Sequence, residues 1–160
     1  MLKGNSFAKF DHLLKNDPQI VNTLINSSGD TLLIEAVMTE DYKAVAFLCQ
    51  KPHDLSVVNK TKENVVHSMV YFLNFMTVDM LKKLDGNQMT LGVVNQRNIF
   101  KETPLHIAAR KNKYEAVEWL FEHGADVSIR NHAGDLAGED LMSDDRTKQL
   151  FRNHAYKYGN

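Results

Sequence analysis

Cysteine is nearly missing from this chain: Cys49 stands alone among 160 residues. No intrachain disulfide can form, and a thiol-rich zinc site is excluded. A reducing compartment is therefore expected. An excess of either charge is missing as well. Nineteen Lys and Arg oppose twenty Asp and Glu, for a net charge of -1, so no global field draws the protein onto nucleic acid or an anionic membrane. The opening "MLKGNSFAKFDHLLKNDPQI" lacks the apolar core of a signal peptide, and no run approaches a membrane span. A soluble protein of the cytoplasm, with the nucleus also open to it, is the expectation. Catalytic signatures are absent too. No G-x-S-x-G, P-loop, G-x-G-x-x-G, Cys-His-Asn or H-E-x-x-H pattern occurs.

What is present is repetition. Four similar blocks begin at Gly29, Lys62, Lys101 and Gly134, spaced 33, 39 and 33 residues apart. The clearest is "KETPLHIAARKNKYEAVEWLFEHGADVSIRN". Thr103 is placed to cap a helix, and Pro104 takes the first helical position, where its missing N–H costs nothing. Leu105, Ile107, Ala108 and Ala109 give that helix a small-residue face. Asn112 suits a left-handed turn. A second helix is predicted over 114–122, with Ala116, Val117, Leu120 and Phe121 inward at helical spacing. Gly124 ends it, and "ADVSIRNHAGD" forms an extended arm leading to the next block.

A 33-residue period with a T-P-L-H-x-A start resembles the ankyrin repeat. Lys101 and Asn112 stand where that family favours glycine. The resemblance implies an all-α solenoid of about four helix-turn-helix repeats with divergent N- and C-terminal caps. The chain divides accordingly into a cap helix (1–25), a repeat (26–58), an over-long repeat (59–97), a repeat (98–130) and a degenerate repeat with a cap helix (131–160). The first repeat keeps Gly29, Thr31, Ala36, Val45 and Leu48 but puts Glu40 at the turn between its helices, where glycine is usual. The second is apolar nearly all round and six residues too long, with the surplus placed in a loop, "DGNQMTLGVV". At the N-terminus Ser6 is expected to cap a helix burying Phe7, Phe10, Leu13 and Leu14. At the other end Gly134 opens a degenerate first helix, and Ser143, Asp144 and Asp145 begin a last one that buries Leu150 and Phe151.

Seven histidines invite a metal or catalytic reading. His67 and His106 recur at one repeat position, and the resemblance implies that they bond neighbouring backbone and hold units in register. His12, His53, His123, His132 and His154 are scattered and read as solvated surface. A catalytic alternative is confined to His132, Asp135 and Glu139 near one turn. Neither a cofactor nor a metal is expected. The basic, aromatic "RTKQLFRNHAYKY" leaves a nucleic-acid reading open, although acidic "GEDLMSDD" precedes it.

In a solenoid, function falls to positions that stacking does not use. One such set comprises arm tips and exposed sides of first helices: Lys60, Lys62, Asn98, Ile99, Phe100, Arg110, Lys111 and His132. Phe100 is either an exposed anchor or buried beneath the long loop. A second set is a stripe on the second helices, where Phe47, Met80 and Trp119 share a position, as do Tyr42, Phe75 and Tyr114. The stripe reads as packing between repeats or as binding surface, with Trp119 its candidate contact. The expected protein is a monomeric, non-catalytic adaptor with a protein partner. "MLKKLDGNQMTLGVVNQRNIFKETPLHIAARKN" is similar to the junction in inhibitors of Rel/NF-κB factors, where an over-long early repeat precedes a T-P-L-H unit. That similarity implies an IκB-like constitutive inhibitor, such as the short virus-encoded forms. A pathogen effector docking another host protein fits the same residues.

Overall fold

The computed structural model describes residues 6–74, 76–139 and 145–158. Three helix pairs form its body: α2 (Leu32–Met38) with α3 (Tyr42–Leu48), α4 (Val65–Phe72) with α5 (Thr77–Lys83), and α7 (Pro104–Arg110) with α8 (Tyr114–Glu122). Helix α1 (Ser6–Asn16) precedes them, a single turn α6 (Leu91–Val94) interrupts them, and α9 (Asp145–Tyr158) follows. An inner layer places α4 between α2 and α7, while α5 lies between α3 and α8 in the outer layer. Helix α1 packs on α3 and α9 on α8, so both ends of the outer layer are covered. Among the described residues there is no strand, only an isolated bridge between Arg130 and Leu136.

The first helices begin as their sequences dictate. Thr31 accepts the Ile34 N–H at 3.3 Å, and Asn64 accepts those of Val66 and His67 at 3.1 and 3.2 Å. Pro104 opens α7. The small-residue faces then pack closely, with Ala36, Ala108 and Ala109 buried beside Leu33, Val66, Met69 and Ile107. One continuous core runs from Phe10 through Met69 and Leu81 to Leu120 and Ala137. Each fully buried Leu in it contributes roughly 1.5–3 kcal/mol.

The turns between helices keep the geometry that glycine would favour. Glu40 and Asn112 both have φ of 52°. Glu40 therefore carries the strain of a left-handed residue, about 1 kcal/mol. The surplus of the second unit differs from the expected loop. Helix α6 forms within it, capped by Thr90, and buries Val93 and Val94. Asn64 donates to the Val93 carbonyl at 2.8 Å, because a buried cap side chain cannot leave its amide unpaired. Nor does a first helix follow Gly134: the described residues there make the Leu136 bridge and a turn. Leu150 and Phe151 pack against the core as expected. The Ser6 cap, Phe7, Phe75, Ser143 and Asp144 lie outside the described side chains.

Candidate functional site

Four arm tips project from the inner layer, each built on an asparagine. The pentapeptides NSSGD, NKTKE, NIFKE and NHAGD begin at Asn26, Asn59, Asn98 and Asn131. In every one the Asn Oδ1 accepts the backbone N–H two residues on and four residues on, at 2.9–3.0 Å. The fourth residue is left-handed in all: Gly29 at φ 75°, Lys62 at 59°, Lys101 at 58° and Gly134 at 92°. The tips are laced together by one backbone bond per step. Lys60 donates to Ser28, Ile99 to Thr61 and His132 to Phe100, each at 2.9 Å. Sequence reasoning missed this device. The recurring N-x-x-[GK]-[DE] pattern was the signal that could have revealed it.

These hydrogen bonds set the tip residues side by side in a row. Lys60, Thr61 and Lys62 come next to Ile99, Phe100 and Lys101, and His132 follows. Phe100 is 59% exposed and Ile99 47%. Phe100 is therefore not buried beneath the insertion. Each tip leads into the start of an inner helix, whose C-terminal end lies about 10 Å further along. Met38, Tyr71 and Arg110 each fall seven residues after the cap of their helix, so they share a register. Met38 is 41% exposed and Tyr71 46%. Lys111 Nζ sits 4.1 Å from the Tyr71 ring centroid, a cation–π contact between units. Arg110 grips both carboxylate oxygens of Glu102, which joins the helix end to the tip as one surface.

Two expected contacts are corrected by this geometry. Asn98 is buried, its Oδ1 spent on Phe100 and Glu102 and its Nδ2 directed to Glu63 Oε1 at 3.4 Å. Trp119 is only 2% exposed. It lies in the outer layer with its ring stacked at 3.9 Å on His123, which caps the same helix, so the indole is closed in and not offered to a partner. Lys60, Lys62, Ile99, Phe100, Arg110, Lys111 and His132 are all exposed.

The histidines sort by burial. His67 Nδ1 accepts the Asn64 N–H at 3.3 Å, which leaves its Nε2 to donate to the Glu102 carbonyl at 3.2 Å. His106 repeats the arrangement, with Thr103 N–H at 3.2 Å and the Asp135 carbonyl at 3.2 Å. Each ring thus ties its own helix start to the next unit. Burial pushes the His67 pKa down to about 4 and moves His106 in the same direction. His53, His123 and His154 are not simply solvated. His53 bonds the Leu48 carbonyl at 2.7 Å, His123 bonds that of Trp119 at 2.8 Å and lies 3.1 Å from Asp85, and His154 stacks on Phe121.

Of His132, Asp135 and Glu139, the structure commits the Glu139 carboxylate and the Asp135 backbone carbonyl to other partners. Glu139 Oε2 accepts the Leu136 N–H at 2.8 Å and lies 3.5 Å from Arg130, and Asp135 contributes its carbonyl to His106. Among the described residues, no group of three His, Cys, Asp or Glu is placed to hold a metal ion. Burial raises the Cys49 thiol pKa to about 12, which suppresses the nucleophilic thiolate. No helix among the described residues is long and apolar enough to cross a membrane.

A family model described as "Ankyrin repeats (3 copies)" matches residues 33–131. The chain is 28% identical over 102 residues to the nuclear factor NF-kappa-B p105 subunit of Rattus norvegicus, covering 64% of this chain and 10% of that protein. Its Gallus gallus counterpart is 27% identical over 126 residues, covering 76% of this chain and 12% of the relative. A putative ankyrin repeat protein of Rickettsia bellii (strain RML369-C) is 28% identical over 81 residues, 49% of this chain and 48% of the relative. The chain therefore spans about a tenth of the p105 subunits and about half of the bacterial protein.

Proposed function

This chain belongs to the ankyrin-repeat family, whose members typically mediate protein–protein interactions and are usually non-catalytic, and from that premise we propose that it is a non-catalytic module binding a protein partner on its arm tips and inner helix ends. One observation carries the reading. Of the six large hydrophobic residues exposed among those described, Ile99 and Phe100 stand together on one tip, while Met38 and Tyr71 share a register at the ends of the inner helices. Scattered exposed apolar side chains need no explanation, but a gathered set marks an interaction surface. The tips are also preorganised. Their asparagines and interlacing backbone bonds hold Ile99 and Phe100 in place, so little ordering cost is due on association.

The test is affinity capture from eukaryotic cell lysate, comparing the wild type with an Ile99→Ser/Phe100→Ser variant. Both side chains are exposed, so the variant should keep its melting temperature within about 2 °C while losing the captured protein. Capture that survives the substitution would overturn the assignment of this face. The same eluate tests a narrower reading, that of an IκB-like inhibitor of a Rel/NF-κB factor. Its supports are the similarity to p105 subunits and the over-long repeat that precedes the T-P-L-H unit. A Rel-family protein enriched only by the wild type would bear it out. A different protein in its place would end it and leave the binding module standing.

A further inference from the structure

Resting on that reading of the face, we infer that the tip row receives an acidic polypeptide segment carrying a bulky apolar side chain. The apolar part seats on Ile99 and Phe100, and the carboxylates of the segment meet Lys60, Lys62 and Lys101. Each pentapeptide ends in Asp or Glu, yet most of these carboxylates are already engaged within the protein. Asp30 is buried and accepts from Asn26 Nδ2 at 2.9 Å and Asn59 Nδ2 at 2.8 Å. Glu63 accepts from the Thr61 hydroxyl at 3.1 Å and from Asn98 Nδ2 at 3.4 Å. Glu102 is held by Arg110. Only Asp135, in the last tip, is exposed.

The cations, by contrast, stay outward. Lys60, Lys62 and Lys101 are exposed, and among the described residues none has an ion-pair partner. Two of them stand at left-handed positions that glycine would occupy with less strain, as it does at Gly29 and Gly134 in the outer tips. The central tips thus carry three lysines around two exposed apolar residues, in a chain whose net charge is only -1. A surface of this composition has positive potential with a desolvatable centre. It favours acidic segments and repels basic ones. Folding has given a neutral composition a local cationic rim, because it turns Asp30 and Glu63 inward, pairs Glu102 with Arg110 and leaves the three lysines outward.

The probes are two pools of short fluorescent peptides. Both carry one central Trp or Leu, flanked by Asp and Glu in the first pool and by Lys and Arg in the second. Fluorescence polarisation on the full chain at low salt should show the acidic pool bound about tenfold or more tightly than the basic one, with affinity falling as salt rises. Lys60→Glu/Lys62→Glu/Lys101→Glu should reverse the preference. A second variant, Lys62→Gly/Lys101→Gly, removes two cations while suiting the left-handed backbone, so misfolding cannot account for its expected loss of acidic binding. Equal or preferential binding of the basic pool, no binding of the acidic pool, or indifference to both lysine variants would overturn the inference. If the lysate partner still depends on Ile99 and Phe100, the face stands and only its charge chemistry falls.

Discussion

At the residue scale, His67 and His106 show one physical cause acting twice. Each imidazole accepts from the backbone at its own helix start and donates to a carbonyl of the next unit, at Glu102 and Asp135 respectively. The arrangement requires the neutral ring, and burial supplies it by holding the His67 pKa at about 4. In the unfolded chain the same ring titrates near 6.5. Between those values the unfolded state binds the extra proton, so stability must fall as pH falls from about 6.5 toward 4. For His67 the loss reaches about 3 kcal/mol at pH 4, and His106 adds to it in the same direction. His67→Gln keeps an acceptor at the third helical position and cannot titrate. Urea titrations across that range should give the variant a flatter acid limb than the wild type. Parallel limbs would show that some other group controls acid unfolding. The repeat position of these histidines was legible in the sequence. The asparagines of the tips recur as plainly, but their Oδ1 bonds exist only once each turn brings two backbone N–H groups round to the side chain.

At the scale of elements, the second unit is where sequence and structure part. Its surplus reads as a loop because Gly86 and Gly92 bracket it, yet Thr90 caps a helical turn whose Val93 and Val94 find a core to enter. The insertion then braces both neighbours. Asn87 accepts the His53 N–H at 2.8 Å on one side, while Asn95 accepts that of Asp126 at 2.8 Å and donates to the Gly124 carbonyl at 3.1 Å on the other. Gly124 is the critical joint. Its φ is 83°, and a Cβ there would meet Leu91 Cδ2 at 2.4 Å. Gly124→Ala should therefore cost about 1–2 kcal/mol, chiefly from the left-handed backbone, with a small share for swinging exposed Leu91 aside. Adding Leu91→Ala should return that small steric share, about 0.5 kcal/mol, since exposed Leu91 contributes little by itself. Strict additivity in a double-mutant cycle would disprove the contact. Nothing local in "DGNQMTLGVVNQ" announces that bracing, because each partner lies roughly thirty residues or more away in the chain.

At the scale of the whole molecule, stability is shared along the stack, since each unit buries its apolar face only against its neighbours. The core is unbroken from Phe10 to Ala137, and Lys113 strengthens one joint by donating to the Leu73 carbonyl and the Thr77 hydroxyl across units. Burial and the nearby Lys111 lower its pKa to about 8. Trp119, the single tryptophan, reports the third unit by fluorescence, while circular dichroism reports every helix. Leu33→Ala in the first unit should cost about 2–5 kcal/mol and lower both transitions together. A fluorescence midpoint that holds while the helical signal drops would show that the units unfold separately.

What the sequence determined alone is whatever depends on neighbours in the chain. Helix starts at Thr31 and Thr103, the 114–122 helix, the left-handed turn at Asn112 and the paired histidines all follow from short-range sterics and periodic burial, whereas Glu40 is held left-handed against its own preference by the packing of its helices. What only the tertiary structure decided is which side chains are left over. Trp119 and Phe100 are both large aromatics at regular repeat positions, yet one is closed in by the outer layer and the other stands open on a tip. Lysines and acids alternate along the tips, yet Lys60, Lys62 and Lys101 remain outward while Asp30 and Glu63 find donors in the neighbouring unit and Glu102 finds Arg110 in its own. Exposure and unpaired charge are properties of stacked units. They arise when one repeat meets the next, and no single repeat contains them.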